Sequence, residues 1–108
     1  MVHKYELSQA ARIHLDSIYL YTLKTWGQAQ AEKYLDGALQ LFSDISSGTV
    51  PARPIAAIVG ISGYFTPYEK HFVYWRVFED GVIGILAILH QQQDQSSRLT
   101  EALKIPFG

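Results

Sequence analysis

Residues 71–94 read HFVYWRVFEDGVIGILAILHQQQD, and this stretch decides the fold. Two strongly apolar segments, Phe72–Phe78 and Val82–Leu89, flank the dipeptide Asp80-Gly81. An Asp-Gly pair readily adopts the positive φ angles of a two-residue hairpin turn. The sequence therefore predicts an antiparallel β-hairpin with its turn at this dipeptide.

The register of this hairpin decides which side chains share a face. Counting back from a two-residue turn pairs Arg76 with Ile85 and Tyr74 with Ala87. Side chains alternate along a strand, so one face is predicted to carry Phe72, Tyr74, Arg76, Phe78, Ile83, Ile85, Ala87 and Leu89. The other face is predicted to carry Val73, Trp75, Val77, Val82, Leu86, Ile88 and His90. Both faces are apolar, so one can cover helices and the other must meet a further element or lie exposed.

A short strand and two helices are predicted before the hairpin. Lys4–Leu7 alternates like a strand, and Ser8 is a suitable N-cap for the next helix. The buried stripe of the first helix is predicted at Ala11, Leu15, Ile18, Thr22 and Trp26, and that of the second at Ala31, Leu35, Ala38, Phe42 and Ile45. Gly27 is the only residue between the first helix and the second, Gln28–Ile45, so the two should form an antiparallel hairpin.

The remaining segments complete an α+β prediction. Pro51 and Pro54 favour an extended loop, and a third strand is predicted at Ile61–Pro67, within an ambiguous region at 58–63. The predicted fold is an N-terminal strand, an antiparallel two-helix hairpin and a three-stranded antiparallel β-sheet. We expect one domain, residues 1–108, with its core at about 4–94 and a loosely attached tail at 95–108.

Composition narrows the functional classes. The chain has 108 residues, 48% of them hydrophobic, which fits a folded domain. It has no cysteine, no signal-peptide pattern and no apolar run long enough for a membrane helix, so we expect a cytoplasmic protein without membrane contact. Lys and Arg total 9 against 10 Asp and Glu, so direct binding to nucleic acid is not expected.

Two segments resemble toxins of the RelE/ParE superfamily. Residues 5–35, YELSQAARIHLDSIYLYTLKTWGQAQAEKYL, resemble the opening of ParE-type toxins, where S-x-A-A begins the first helix and W-G-x-x-Q-A joins the two helices. Residues 73–94, VYWRVFEDGVIGILAILHQQQD, are similar to the closing hairpin of that family. The resemblance covers about residues 5–94 and implies the RelE/ParE-like fold.

The resemblance also implies a function. It implies the toxin of a type II toxin–antitoxin module, often associated with plasmid stabilisation, neutralised in a hetero-oligomer by a ParD-like antitoxin. ParE-type toxins poison DNA gyrase by binding protein, so catalysis is not expected. RelE-type toxins instead cut messenger RNA on the ribosome. A degenerate toxin that retains only antitoxin binding is a third hypothesis, because Ala87, Gln92 and Gln93 stand where relatives often have Arg, Arg and Met.

Four residues are candidates for binding the target. Arg76 and His90 are expected to share one patch at the end or on the open face of the sheet, and Lys70 and Arg53 could add positive charge. The structural alternatives are an Arg76 paired with an acid such as Asp94, a His90 that orients a loop, and a solvated turn. The four histidines show no metal-ligand spacing, and neither a catalytic group nor a cofactor is predicted.

A second candidate surface lies on the first helix. Ile13 and Leu20 project almost opposite its predicted core stripe, and Tyr19 and Leu23 lie between the two faces. Polar residues are usual at such positions, so we expect these four to bind the antitoxin or, alternatively, to mediate self-association. The alternative is a pair of isolated exposed apolar side chains. Trp26 is expected in the core.

Overall fold

The structure is a computed structural model that describes residues 4–55 and 62–105. Within these residues the elements are β1 Tyr5–Leu7, α1 Gln9–Trp26, α2 Gln28–Ser46, β2 Arg53–Pro54, β3 Tyr64–Tyr68, β4 His71–Val77, β5 Ile83–His90 and α3 Gln95–Leu103. The sheet order is β1-β5-β4-β3-β2. The start of the predicted third strand at Ile61, and the ambiguous residues from 58 to 61, lie outside the described residues.

The predicted α+β class is confirmed, but the predicted three-stranded antiparallel sheet is incomplete. The described part of the chain forms a five-stranded mixed sheet, because β1 joins it parallel to β5 and the two-residue β2 extends the other edge. Short strands such as these contain too few residues for an alternating pattern to reveal their pairing. No helix in the described ranges has the length and apolarity needed to cross a membrane.

The junction between β1 and α1 fixes the first helix to the centre of the sheet. The predicted cap is confirmed, since Ser8 Oγ accepts a hydrogen bond of 2.9 Å from the backbone N–H of Ala11. The same hydroxyl donates to the Leu86 carbonyl at 3.0 Å, and the Ser8 N–H donates to the Ile85 carbonyl at 2.9 Å. One residue therefore ends the parallel ladder, begins α1 and ties the helix to β5.

A single glycine joins α1 to α2, as predicted. Gly27 has a φ of 95°, its N–H donates to the Leu23 carbonyl, and its own carbonyl accepts from the Ala31 N–H. The residue thus closes one helix and opens the next. A side chain would strain this backbone conformation, which explains the glycine.

The β4–β5 hairpin has a three-residue loop, so the predicted two-residue turn is wrong. The Phe78 N–H donates to the Val82 carbonyl and the Gly81 N–H donates to the Phe78 carbonyl, both at 2.9 Å. Gly81 has a φ of 85°. This is the common loop in which a turn is followed by a glycine at positive φ. The glycine was correctly identified, but its position in the turn was not.

A bulge then restores part of the predicted register. Near the loop Arg76 pairs with Gly84 rather than with Ile85, but Tyr74 pairs with Ala87 as predicted. The irregularity lies between Tyr74 and Trp75, opposite the extra residue Leu86. A β-bulge absorbs one residue on one strand, so the one-residue error at the loop disappears farther along the hairpin.

The bulge changes which side chains face the helices. Ile83 and Ile85 lie with Val73 and Trp75, not with Tyr74 as predicted. The core between this face and the helical hairpin contains Ala11, Leu15, Ala38, Phe42, Ile45, Val73, Trp75, Ile83, Ile85 and Ile88. The core on the opposite face contains Ala10, Ile55, Tyr74, Leu86, Ala87, Leu89, Leu99 and Ala102.

Helix α3 covers the second face of the sheet. The prediction of a loosely attached tail is wrong for residues 95–105, because Leu99 is 0% exposed and Ala102 is 6% exposed. The apolar residues Leu99, Ala102 and Leu103 lie three and four positions apart and form one helical face. Asp94 caps the helix by accepting from the Ser97 N–H at 3.3 Å. The polar residues between these apolar ones had obscured the pattern.

We predict that Leu99→Ala lowers the free energy of unfolding by about 2–5 kcal/mol, because it removes a fully buried side chain and leaves a cavity. Urea unfolding measures the change. Thr100→Ala, at an exposed position of the same helix, is the matched control and should change stability by less than about 1 kcal/mol. Equal effects of the two substitutions would contradict the docking of α3.

Candidate functional site

The loop end of the β4–β5 hairpin carries an exposed cation on an aromatic ring. The guanidinium carbon of Arg76 lies 5.5 Å from the centroid of the Phe78 ring. That ring covers Gly84, where an added Cβ would come within 2.5 Å of it. Stacking on this ring thus orients the Arg76 side chain, although the interaction contributes only a modest free energy. The Asp94 carboxylate accepts from Ser97 instead, so the proposed pairing of Arg76 with Asp94 is not formed.

The strand end of the same hairpin carries a pair of histidines. His71 and His90 are directly opposite, and the Gln91 N–H donates to the Lys70 carbonyl just beyond them. That bond makes the histidines a non-hydrogen-bonded pair, in which side chains approach most closely. Their ring centroids are 5.3 Å apart with edge-to-face geometry.

His90 also orders the connection to α3. Its N–H donates to Gln93 Oε1 at 2.8 Å, and its carbonyl accepts from Gln95 Nε2 at 2.8 Å. Its ring Nδ1 accepts from the Gln92 N–H at 3.1 Å. The expected alternative, a histidine that orients a loop, therefore describes an important part of what His90 does.

The predicted common patch of Arg76 and His90 is wrong. His90 pairs with His71 and Arg76 pairs with Gly84, so the two pairs lie five positions apart along β4, or roughly 17 Å. Lys70 lies beside His71 at the strand end, whereas Arg53 lies on the outer strand β2 opposite Phe65. All three cations are exposed. The structure brings Lys70 near the histidines and leaves Arg76 and Arg53 in separate places.

A tyrosine network that the sequence did not reveal holds His71. The Tyr34 hydroxyl lies 3.2 Å from His71 Nδ1, and the Tyr68 hydroxyl donates to the Tyr34 carbonyl at 2.8 Å. Tyr68 fits only because residue 37 is glycine, since a Cβ there would overlap the Tyr68 hydroxyl. The partners are 34 or more positions apart in sequence, and no local spacing links them.

Burial governs the protonation of this network. Burial, together with a smaller effect of the neighbouring His90, lowers the pKa of His71 to about 4. Burial also raises the pKa of the Tyr34 hydroxyl, with additional contributions from Tyr68 and Glu69. His71 is therefore neutral, and Tyr34 is protonated, near pH 7.

The exposed face of α1 carries the apolar residues expected from the sequence. Ile13 is 52% exposed, Leu20 is 54% exposed and Leu23 is 36% exposed, while Tyr19 is half-buried. We refer to Ile13, Leu20 and Leu23 as the α1 strip. Within the described part of the chain these three side chains remain exposed.

Trp26 is exposed, so its predicted place in the core is wrong. Its side chain is 71% exposed at the tip of the helical hairpin. The first turn of α2 beside it consists of exposed residues, Gln28, Ala29 and Gln30. The predicted stripe has the correct helical periodicity, but among the described residues no core lies at the tip of the helical hairpin to bury Trp26, its last residue. Tyr21, at 66%, adds to the exposed aromatic surface of α1.

A cleft lies between α1, α3 and the end of β5. Its volume is about 310 Å³. The lining includes the histidine pair, the apolar Ile13 and Ile105, and two further polar side chains, His14 and Arg98. We refer to it as the strand-end cleft. Sequence reasoning missed it because its walls come from three distant segments.

Comparison with known proteins identifies the family. Residues 5–95 match the sequence model for the ParE toxin of the type II toxin–antitoxin system parDE. The chain belongs to the ParE toxin family. Toxin ParE1 of Mycobacterium tuberculosis (strain ATCC 25618 / H37Rv) is 32% identical over 101 residues, which cover 92% of this chain and all of the relative. Toxin ParE of Escherichia coli is 27% identical over 100 residues, which cover 93% and 96% of the two chains.

Membership of the ParE toxin family confirms the resemblance seen in the sequence. It makes this chain a toxin of a type II toxin–antitoxin system, in which the toxin has an antitoxin partner. The family match ends at residue 95, where α3 begins. Arg98 and Ile105, which form one wall of the strand-end cleft, therefore lie outside the matched segment.

We predict that acid destabilises the toxin partly through His71. Its folded pKa, about 4, is below its ordinary value of 6.5, so the unfolded chain binds more protons between these pH values. The contribution is fully present above pH 6.5 and is lost as the pH falls toward 4. Because the ring is half-exposed, we expect a loss on the order of 1 kcal/mol.

The measurement is the free energy of unfolding between pH 4 and 7 for the wild type and for His71→Gln. His14 also has a pKa lowered by burial and acts in the same direction, so the difference between the two proteins isolates His71. Parallel pH profiles would show that His71 does not contribute.

Proposed function

We propose that this ParE family toxin is neutralised by a ParD-like antitoxin and acts on DNA gyrase by binding protein rather than by cutting RNA. The observation that favours gyrase binding over RNA cleavage is that the candidate target-binding cations lie far apart on the sheet. Arg76, Lys70 and Arg53 lie at the hairpin loop, at the strand end and on the outer strand. A nuclease must instead concentrate cations to hold a polyanion and to stabilise charge in the transition state.

The overall charge supports the same choice. Nine basic residues oppose ten acidic ones, which leaves little electrostatic attraction for a messenger RNA. The purified toxin should therefore bind RNA weakly at ordinary salt. Tight binding that weakens steeply as salt rises, or specific cleavage of ribosome-bound messenger RNA, would favour the RelE-like alternative.

Expression without antitoxin separates the three hypotheses. A gyrase poison should cause filamentation and a DNA-damage response, and the purified toxin should inhibit supercoiling by gyrase. A RelE-like nuclease should block translation. A degenerate toxin should do neither while still forming a complex with its antitoxin, and the uncharged residues Ala87 and Gln92 are the observation that motivates this hypothesis.

We predict that Arg76→Ala reduces growth inhibition at least about tenfold, measured as the inducer concentration needed to arrest growth, because it removes a charge-assisted contact with the target. The stability cost should be small, about 0.5–1 kcal/mol, because the side chain is exposed and stacks on the Phe78 ring. Lys33→Ala, which removes one exposed positive charge from α2, is the matched control. Full toxicity of a folded Arg76→Ala protein would exclude this role.

The α1 strip is the proposed antitoxin surface. An antitoxin segment laid across it would bury apolar area worth about 25 cal/mol per Å². Antitoxin segments of this kind can fold as they bind, with an apolar helical face entering a groove. Tyr19, which is half-buried beside Leu20 and Leu23, would line the edge of the contact.

We predict that the double substitution Ile13→Ser and Leu20→Ser weakens the antitoxin complex roughly 10- to 100-fold, because two apolar contacts are lost. Isothermal titration measures the affinity, and thermal unfolding of the isolated toxin checks the fold. Val77→Ser is the control, since Val77 is 52% exposed like Ile13 but lies on β4. Unchanged affinity and stoichiometry in the double variant would refute this interface.

A further inference from the structure

Both apolar and polar side chains line the strand-end cleft. Ile13 from α1 is 52% exposed and Ile105 beyond α3 is 37% exposed, so both present apolar surface at the cleft. The polar lining includes His14, His90 and Arg98. A ligand that fits must therefore offer an apolar group and a polar group close together.

Backbone hydrogen bonds assign the tautomers of two of these histidines. The Ile88 N–H donates to His14 Nδ1 at 3.1 Å, and the Gln92 N–H donates to His90 Nδ1 at 3.1 Å. A ring nitrogen that accepts a hydrogen bond carries no proton, so the proton of each neutral ring is on Nε2. Nδ1 of each histidine thus accepts from a backbone N–H of another residue, and each ring keeps an Nε2–H donor for a further partner.

The charges in the cleft favour a single negative charge on the ligand. Arg98 supplies a cation, and its guanidinium lies 3.6 Å from the Glu101 carboxylate, which also lines the cleft. The pair is exposed, so Arg98 can turn to another acceptor at little cost. Glu101 would repel a doubly charged phosphate more strongly than a carboxylate.

We propose that the strand-end cleft takes an aspartate or glutamate side chain of the antitoxin, with a neighbouring apolar side chain of the same segment against Ile13 and Ile105. His14 Nε2–H, His90 Nε2–H and Arg98 donate to the carboxylate. This inference rests on the proposed antitoxin function. The antitoxin is the occupant because Ile13 belongs both to the α1 strip and to the cleft, so a segment that follows the strip reaches these donors.

The test uses the complete toxin and the antitoxin encoded beside its gene. His14→Asn keeps a side-chain acceptor for the Ile88 N–H and removes the Nε2–H donor. Arg98→Gln removes the cation, and Lys104→Gln, at the C-cap of α3, removes an equal charge outside the cleft lining. We expect roughly tenfold weaker binding for the first two variants and unchanged binding for the third.

A double-mutant cycle locates the carboxylate. Each acidic residue of the antitoxin is changed to its amide, and one such change should lose most of its effect when combined with Arg98→Gln. In addition, isovalerate should shift the NMR signals of the His14 and His90 rings of the isolated toxin, whereas isovaleramide, which has the same shape without the charge, should not. Thermal unfolding checks that His14→Asn remains folded.

The outcomes separate three failures. A complex that forms normally and is unaffected by His14→Asn and Arg98→Gln overturns the cleft assignment and leaves the antitoxin function standing. Equal responses to isovalerate and isovaleramide overturn the preference for a carboxylate. A toxin that forms no complex with the antitoxin overturns the proposed function and this inference with it.

Discussion

The fold depends on the hydrogen bonds that the backbone of β5 makes on the side away from β4. β5 is buried from Ile83 to Leu89, so its backbone groups need partners on both sides. β4 supplies one side, but β1 pairs only with residues 83–85. Beyond that point Ser8 Oγ donates to the Leu86 carbonyl and His14 Nδ1 accepts from the Ile88 N–H. Two side chains of the first helix therefore continue the ladder that β1 begins.

These side-chain hydrogen bonds, which take the place of a longer β1, position both the helical hairpin and the strand-end cleft. Because Ser8 both caps α1 and bonds to β5, the helical hairpin must lie against one face of the sheet with Ala11 and Leu15 in its core. Because β1 stops early, the end of β5 remains free for α1 and α3 to approach from either side, and the strand-end cleft forms between them. Replacing either hydrogen-bonding side chain by an apolar one would leave a buried backbone group without its partner, which costs about 1–3 kcal/mol.

Local patterns in the sequence predicted β1, the helical hairpin and the β4–β5 hairpin, but not the features that depend on contacts between distant residues. Ser8 as the cap and Gly27 as the junction were predictable because each satisfies a requirement of its neighbours in sequence. The bulge at Leu86 was not predictable, because it reconciles a three-residue loop with the pairing of Tyr74 and Ala87 farther along the hairpin.

The exposure of Ile13 and Leu20 could be predicted from helical periodicity. The strand-end cleft could not be predicted in this way, because His14, His90 and Arg98 are brought together by the packing of three elements.

The hairpin also explains why a toxin of this kind can carry two separate surfaces. Its loop end presents Arg76 on Phe78, and its strand end presents the histidine pair, roughly 17 Å away along β4. A rigid, paired hairpin cannot bring these ends together, so one ligand of ordinary side-chain size cannot contact both. An antitoxin that occupies α1 and the strand end would leave Arg76 uncovered unless it extends along the sheet. Neutralisation through α1 therefore requires one of two arrangements. Either the antitoxin segment is long enough to reach Arg76, or the target needs the strand end as well as Arg76. Measuring the affinity of the Arg76→Ala variant for the antitoxin distinguishes these two arrangements.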